Sequence, residues 1–162
     1  MSQASDFVIL PAETRHVSGM MGVMHAAFDA EFGEAWSMLQ LAGSMTMPSS
    51  FARLAATGDS IRGFSLSRAA GPEVELLLIA VAPLHRGAGM GRTLLEHAIS
   101  ESFQRGASEI FLEVRENNLA ARALYARCGF VDVGRRDNYY TGTTGARFGA
   151  ITMRRSLDNL TG

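Results

Sequence analysis

Val74-Glu75-Leu76-Leu77-Leu78-Ile79-Ala80-Val81 leads through Ala82-Pro83-Leu84-His85 to Arg86-Gly87-Ala88-Gly89-Met90-Gly91-Arg92. The first eight residues are almost continuously apolar, which suits a central strand buried on both faces. A five-residue link, Ala82–Arg86, then reaches glycines at 87, 89 and 91. A helix follows, with Leu94, Leu95, Ala98, Ile99, Ser102 and Phe103 on one face and Gly106 ending it. Backbone amides crowd together in such a turn, at a helix N-terminus whose unpaired N–H groups and dipole attract an anion. The expectation is a cradle for a pyrophosphate, flanked by Arg86 and Arg92 and needing no lysine.

Three other readings compete. A lone glycine cluster is most often only a flexible turn. A nucleoside-triphosphate loop would need Gly-Lys-Ser/Thr, and this chain contains no lysine: all 15 basic residues are Arg. A nicotinamide-dinucleotide turn would use Glu113, about 20 residues on, to hold the ribose. However, Arg92 stands where the third glycine should be, and the link is too long for a turn that directly follows its strand.

Upstream, Phe7–Leu10 reads as a short strand before Pro11. Val17, Met20, Met21, Met24, Ala27 and Phe28 recur at helical spacing, so residues 14–31 should form an amphipathic helix. Its methionines suit either an adaptable binding surface or the filling of core gaps. Residues 33–50 are ambiguous, with Ser37 a candidate cap for a second helix. Strands follow at about 51–56 and 61–68 around the turn Thr57-Gly58-Asp59. Downstream, residues 109–115 alternate as a strand with two different faces. Asn117 or Asn118 then caps a helix with the stripe Ala121, Leu124 and Cys128, closed by Gly129-Phe130. Two last strands, near 130–135 and 147–155, are joined by a loop over Asn138–Gly145. The order is strand, two helices, three strands, helix, strand, helix, two strands: a mixed α/β sandwich of helices on one sheet.

At 162 residues the chain suits one domain over 1–162 with a single core. No 18-residue apolar run is present, so no membrane span is expected. The net charge of −1 gives no general attraction to nucleic acid or membrane, although residues 1–85 carry −4 and 86–162 carry +3. Cys128 is the only cysteine, and an inert buried thiol is expected there. Met1–Asp6 lacks the pattern of a secretory leader, so the cytoplasm is expected. Asn159-Leu160-Thr161 has the form of a glycosylation site, which a cytosolic chain would not use. His16, His25, His85 and His97 share no ligand spacing, so no metal site is expected.

The run Ile79-Ala80-Val81-x-Pro83-x-x-Arg86-x-x-Gly89-x-Gly91-Arg92 resembles the acetyl-coenzyme A motif of the GNAT N-acetyltransferases. Two further segments resemble the RimI-type ribosomal-protein alanine N-acetyltransferase branch. They are Leu112-Glu113-Val114-Arg115-x-x-Asn118-x-x-Ala121-x-x-Leu124-Tyr125-x-x-x-Gly129-Phe130 and Arg135-Arg136-x-Asn138-Tyr139-Tyr140. The resemblance is strong over about 74–155 and weak over 6–45, where Trp36-Ser37 carries it. It implies a mixed, mostly antiparallel central sheet flanked by helices and acetyl-coenzyme A as donor. The acceptor it implies is the N-terminal alanine of a small-subunit ribosomal protein. Ala35 before Trp36, where the branch often has Pro, and Thr141 after the tyrosine pair depart from the pattern on the acceptor side.

Acetyl transfer from a thioester to an amine must deprotonate the amine, hold an oxyanion and protonate a departing thiolate. A terminal α-amine, with a pKa of about 7.7–8.0, needs only a modest base. The resemblance assigns Glu113 as general base, where a bare reading would make it a surface carboxylate paired with Arg115 or Arg92. It assigns Tyr125 as general acid, otherwise an aromatic packing residue. It implies that a backbone N–H in the strand Ile79-Ala80-Val81 meets the oxyanion. Arg86, Gly87, Ala88, Gly89, Met90, Gly91, Arg92 and Asn118 would hold the cofactor, Asn118 being at least a helix cap. Trp36, Tyr139 and Tyr140 would face the acceptor, the tyrosines in a polar loop with Arg135, Arg136 and Arg147. Transfer in a ternary complex is expected. Acetylation of a small-molecule amine and a non-catalytic acyl-coenzyme A sensor are the alternatives. A sensor would need neither Glu113 nor Tyr125.

Overall fold

The computed structural model describes residues 6–160. The leader reading over Met1–Ser5 and the Thr161 of the glycosylation triplet lie outside them. Strands β1 (Val8–Pro11), β2 (Ser50–Thr57), β3 (Ser60–Ala70), β4 (Glu73–Val81), β5 (Glu109–Arg115), β6 (Val131–Thr141) and β7 (Arg147–Ser156) form one sheet. Its order is β1-β2-β3-β4-β5-β7-β6, and only the β4–β5 pair is parallel. The helices are α1 (Val17–Ala27), α2 (Met38–Met45), α3 (Met90–Gln104) and α4 (Leu119–Arg127). This is the expected mixed, mostly antiparallel sheet with its expected order of elements.

The helices cover both faces of the sheet, as expected of a central sheet flanked by helices. Met20, Met24 and Leu41 of α1 and α2 pack with Leu54, Phe64, Leu66 and Leu78 on one face. Leu95, Ala98 and Ile99 of α3 and Tyr125 of α4 pack with Val74, Leu76, Ile110, Leu112 and Val114 on the other. Both clusters are closed to water, and each buried Leu or Ile contributes about 1.5–3 kcal/mol of transfer free energy.

The apolar run at 74–81 is not a strand buried uniformly on both faces; its burial alternates. Leu76 pairs with Ser67 and Leu78 with Leu66, which leaves Leu77 as an extra residue, a β-bulge. The bulge transfers the inward side chains from one core to the other, so Val74 and Leu76 face α3 whereas Leu78 and Ala80 face α1. At the same point β4 and β5 part. Their register ends at Leu76↔Leu112.

Other boundaries also moved. The 14–31 helix is three pieces: one-turn 3-10 segments at Thr14–His16 and Ala30–Phe32 flank α1. Phe28 is extended (φ −101°, ψ 119°), and Asp29 caps the second segment by accepting from Glu31 N–H. Ser37 does cap α2, in a reciprocal box with Gln40. Asn118 caps α4, accepting from Ala121 N–H at 3.2 Å. The deeply buried residue of α4 is Tyr125 rather than the Ala121–Leu124–Cys128 stripe, and Cys128 is only half-buried. Strand β6 runs on to Thr141, so Tyr139 and Tyr140 stand on a strand and not in a loop.

Candidate active site

Parting of β4 from β5 opens a cleft of about 600 Å³. Antiparallel pairing on the other edge of β4 sets which amides face it. Ala82 N–H donates to Arg62 carbonyl at 2.8 Å, so alternation turns the Ile79 and Val81 N–H groups away from β3, toward the gap. No strand meets them there. These are the residues expected to greet an oxyanion, and Ile79, Ala80 and Val81 all line the cleft.

The glycine-rich segment closes one end. Gly87 and Gly89 adopt φ of +86° and +81°, conformations that other residues rarely take. Gly89 is the N-cap of α3 and brings no side-chain cap, so the first-turn amides remain available to an anion. Arg86, Met90 and Gly91 line the cleft. Arg86 also donates to Ala27 carbonyl at 3.1 Å, tying the loop to the end of α1. Arg92 departs from expectation. Its side chain pairs with Glu96 at 2.9 Å and lines a separate groove between α3 and α4, beside Cys128. Gly87, Ala88 and Gly89 stand outside the cleft lining and contribute through the turn they make.

Glu113 faces the cleft from β5, opposite Ile110, Leu112 and Val114. Its partners are neither Arg115 nor Arg92. Thr152 Oγ1 donates to its Oε1 at 3.0 Å, and Arg136 Nε lies 3.4 Å from the same oxygen. Its Oε2 is buried and has no hydrogen-bond partner among the described residues. A buried carboxylate oxygen without a donor is costly unless a ligand or water supplies one.

Tyr125 reaches the cleft from α4 and packs edge-on to Phe130, ring centroids 6.0 Å apart. Burial pushes its phenol well above the usual range, and the nearby Glu34 carboxylate adds to the shift. The neutral O–H is therefore the stable form, a hydrogen-bond donor that holds its proton more tightly than a free phenol. Tyr140 is raised too, first by burial and then by Glu34. Tyr139, Tyr140 and Trp36 all line the cleft, as does Asn118. Arg136 stacks over Tyr139 at 5.3 Å, whereas Arg135 is held outside by Glu116 and Asp137.

Sequence reasoning missed the contacts of the loop between α1 and α2. Glu34 pairs with Arg115 across 3.2 Å, Arg115 also donates to Asn117 Oδ1, and its guanidinium lies 3.5 Å over the Phe32 ring. Phe32 in turn meets Phe148 edge-on. A seam of backbone then joins this loop to the β6–β7 hairpin: Thr143 N–H donates to Ala30 carbonyl, and Gly33 and Gly142 pass against the carbonyls of Thr141 and Glu31. A separation of 81 positions between Glu34 and Arg115 hides such pairing from any local pattern.

The description "Acetyltransferase (GNAT) family" matches residues 23–130. The chain belongs to the GNAT acetyltransferase family. Among GNAT relatives, the ribosomal protein bS18-alanine N-acetyltransferase of Escherichia coli (strain K12) is 44% identical over 90 residues. That match covers 56% of this chain and 60% of the relative, so the chain spans about three-fifths of the length of that curated protein. The crystal structure of the ribosomal-protein-S18-alanine N-acetyltransferase from Escherichia coli aligns over 96% of this chain and 99% of that one. Its TM-score is 0.83 at 31% identity. A streptothricin acetyltransferase of Streptomyces lavendulae is 41% identical over 75 residues, 46% of this chain and 40% of that protein. Among the described residues no cluster of three or more His, Cys, Asp or Glu could hold a metal ion, and no helix is long and apolar enough to cross a membrane.

Proposed function

We propose that this chain transfers an acetyl group from acetyl-coenzyme A to the α-amine of a protein N-terminus in the cytoplasm. The acceptor is the N-terminal alanine of a small-subunit ribosomal protein. The observation that carries the reading is the buried, unpartnered Oε2 of Glu113 in the same cleft as the protonated phenol of Tyr125. Likeness to the Escherichia coli enzyme over nearly the whole chain supports the acceptor.

The residues fit the donor. First-turn amides of α3 and Arg86 suit a pyrophosphate, the apolar walls of the gap suit a pantetheine arm, and the free N–H groups of Ile79 and Val81 suit a carbonyl or oxyanion. When bound, acetyl-coenzyme A supplies a thioester-activated acetyl group. Glu113 Oε2 takes the amine proton, directly or through a water, while Thr152 and Arg136 fix Oε1. Tyr125 Oη gives its proton to the departing sulfur. Trp36, Tyr139 and Tyr140 wall the acceptor. Nothing calls for a covalent enzyme intermediate, so both substrates meet in a ternary complex.

The test is free-thiol release from acetyl-coenzyme A with two peptides: one begins with Ala and carries several Arg, the other is the same peptide blocked at its α-amine. Release with only the free N-terminus is the expected result. Release with neither, despite donor binding, would move the assignment to small amines, the reading that the streptothricin acetyltransferase likeness favours. Tyr125→Phe should leave the donor KM within about twofold while lowering kcat about 10²-fold. Equal losses in both would make Tyr125 a packing residue.

A further inference from the structure

Glu34 lines the same cleft as Glu113, Tyr125 and Tyr140, with a side chain 15% exposed. We infer that Glu34 is the docking carboxylate for the protonated acceptor amine, a primary ammonium ion, which it holds while Glu113 takes the proton. This inference rests on the amine-acetylation reading above.

Four observations carry it. Arg115 Nε engages only Oε1 of Glu34, at 3.2 Å. The positive charge of Arg115 is itself shared with Asn117 Oδ1 and the Phe32 ring, so the pair fixes Glu34 in place without saturating it. Along β5, Arg115 is two residues beyond Glu113 and on the same face, which sets Glu34 toward the open end of the gap. Lastly, Oε1 of Glu113 is already occupied by Thr152 and Arg136.

Two carboxylates divide two tasks that one cannot perform together. An α-amine with a pKa of about 7.7–8.0 arrives largely as an ammonium ion at neutral pH. One N–H donates to Glu34. A second proton leaves nitrogen for Glu113 Oε2, and the nitrogen lone pair becomes free to attack. The titratable and charged groups that line the cleft with Glu34 are Arg115 and Glu113 from β5, Glu75 from β4, Tyr125 from α4, Tyr139 and Tyr140 from β6, and Asp29, His85 and Arg86 from the segments after α1 and β4; Arg115 pairs with it. The Tyr125 and Tyr140 phenols are pushed upward, first by burial and then by Glu34.

The test compares the wild type with Glu34→Gln, whose amide oxygen still accepts from Arg115. Thiol release is measured against acceptor concentration at about pH 6.5 and about pH 9, either side of the amine pKa. The variant should raise acceptor KM about tenfold at the lower pH. At the higher pH the two enzymes should agree within about twofold, with kcat and donor KM little changed. An unchanged KM, or a rise of equal size at both pH values, overturns the inference, because a loop that merely shifted would not track the ammonium charge. Should Glu34→Gln fail to melt cooperatively, Glu34→Asp carries the test, and its acceptor KM must rise more at the lower pH. A wild type that releases no thiol with any amine overturns the underlying reading and this inference with it, and that result is visible before any variant is made.

Discussion

Glu113→Gln is expected to lower kcat about 10²–10³-fold near neutral pH while leaving donor KM within about twofold. The amide keeps an oxygen for Thr152 Oγ1 but loses the charge facing Arg136 and, above all, the basic oxygen now buried without a partner. The sign of the pH dependence follows from the acceptor. Below about pH 7.7 most of the amine is protonated and must surrender a proton to react. Above about pH 8 the neutral amine attacks unaided more often. The ratio of wild-type to variant rate should therefore be largest at low pH and narrow as pH rises through that range. Steady-state rates across pH check this, and a variant with an unchanged rate across pH would remove Glu113 from the chemistry.

Gly142→Ala and Gly33→Ala should be the most damaging alanine substitutions outside the chemistry. A Cβ on Gly142 would come within 2.6 Å of the Glu31 carbonyl carbon, and one on Gly33 within 2.7 Å of the Thr141 carbonyl carbon. Both obstacles are backbone, so no rotamer change relieves them. Gly33 also sits at φ +67°, which alanine disfavours. Each variant is expected to lose about 1–3 kcal/mol of stability, lowering Tm by about 3–10 °C for a chain of this length. Because the seam holds the Glu34 and Trp36 side of the cleft, acceptor KM should rise about tenfold while donor KM holds. Gly43→Ala is the control: it lies in α2 with nothing within 4 Å of the new Cβ, and should be neutral or slightly stabilising. Melting curves and two-substrate kinetics read all three, and a Gly142 variant as stable and active as the control would dismantle the seam.

Legibility in the sequence followed the range of the interaction. Local signals read well. Alternation over 109–115 placed Glu113 opposite the core, glycines at 87, 89 and 91 placed the turn before α3, and Ser37 and Asn118 were found as caps because each answers a backbone group three residues on. The β4 bulge was invisible, since an unbroken apolar run has the same composition with or without an extra residue in register. Helix periodicity carried the first helix too far because Phe28 continues the stripe while its backbone has already turned extended. Tyr139 and Tyr140 read as loop because polar neighbours outweighed the strand; Tyr140 pairs with Phe148 on β7. Thr152, Arg115 as a partner of Glu34, and the glycine seam all depend on contacts between segments dozens of residues apart, where no spacing rule applies.

The split at Leu77 has a mechanical meaning as well as a chemical one. Strands β1 to β4 and strands β5 to β7 are laced together by four register pairs, Glu73↔Glu109 to Leu76↔Leu112. Within the sheet two plates thus share a short hinge, which α3 also bridges, and any rotation there would become a larger change in gap width at Val81 and Arg115. A molecule spanning the gap acts as a strut. It would damp that rotation and slow amide exchange on both plates together, including in strands it never touches.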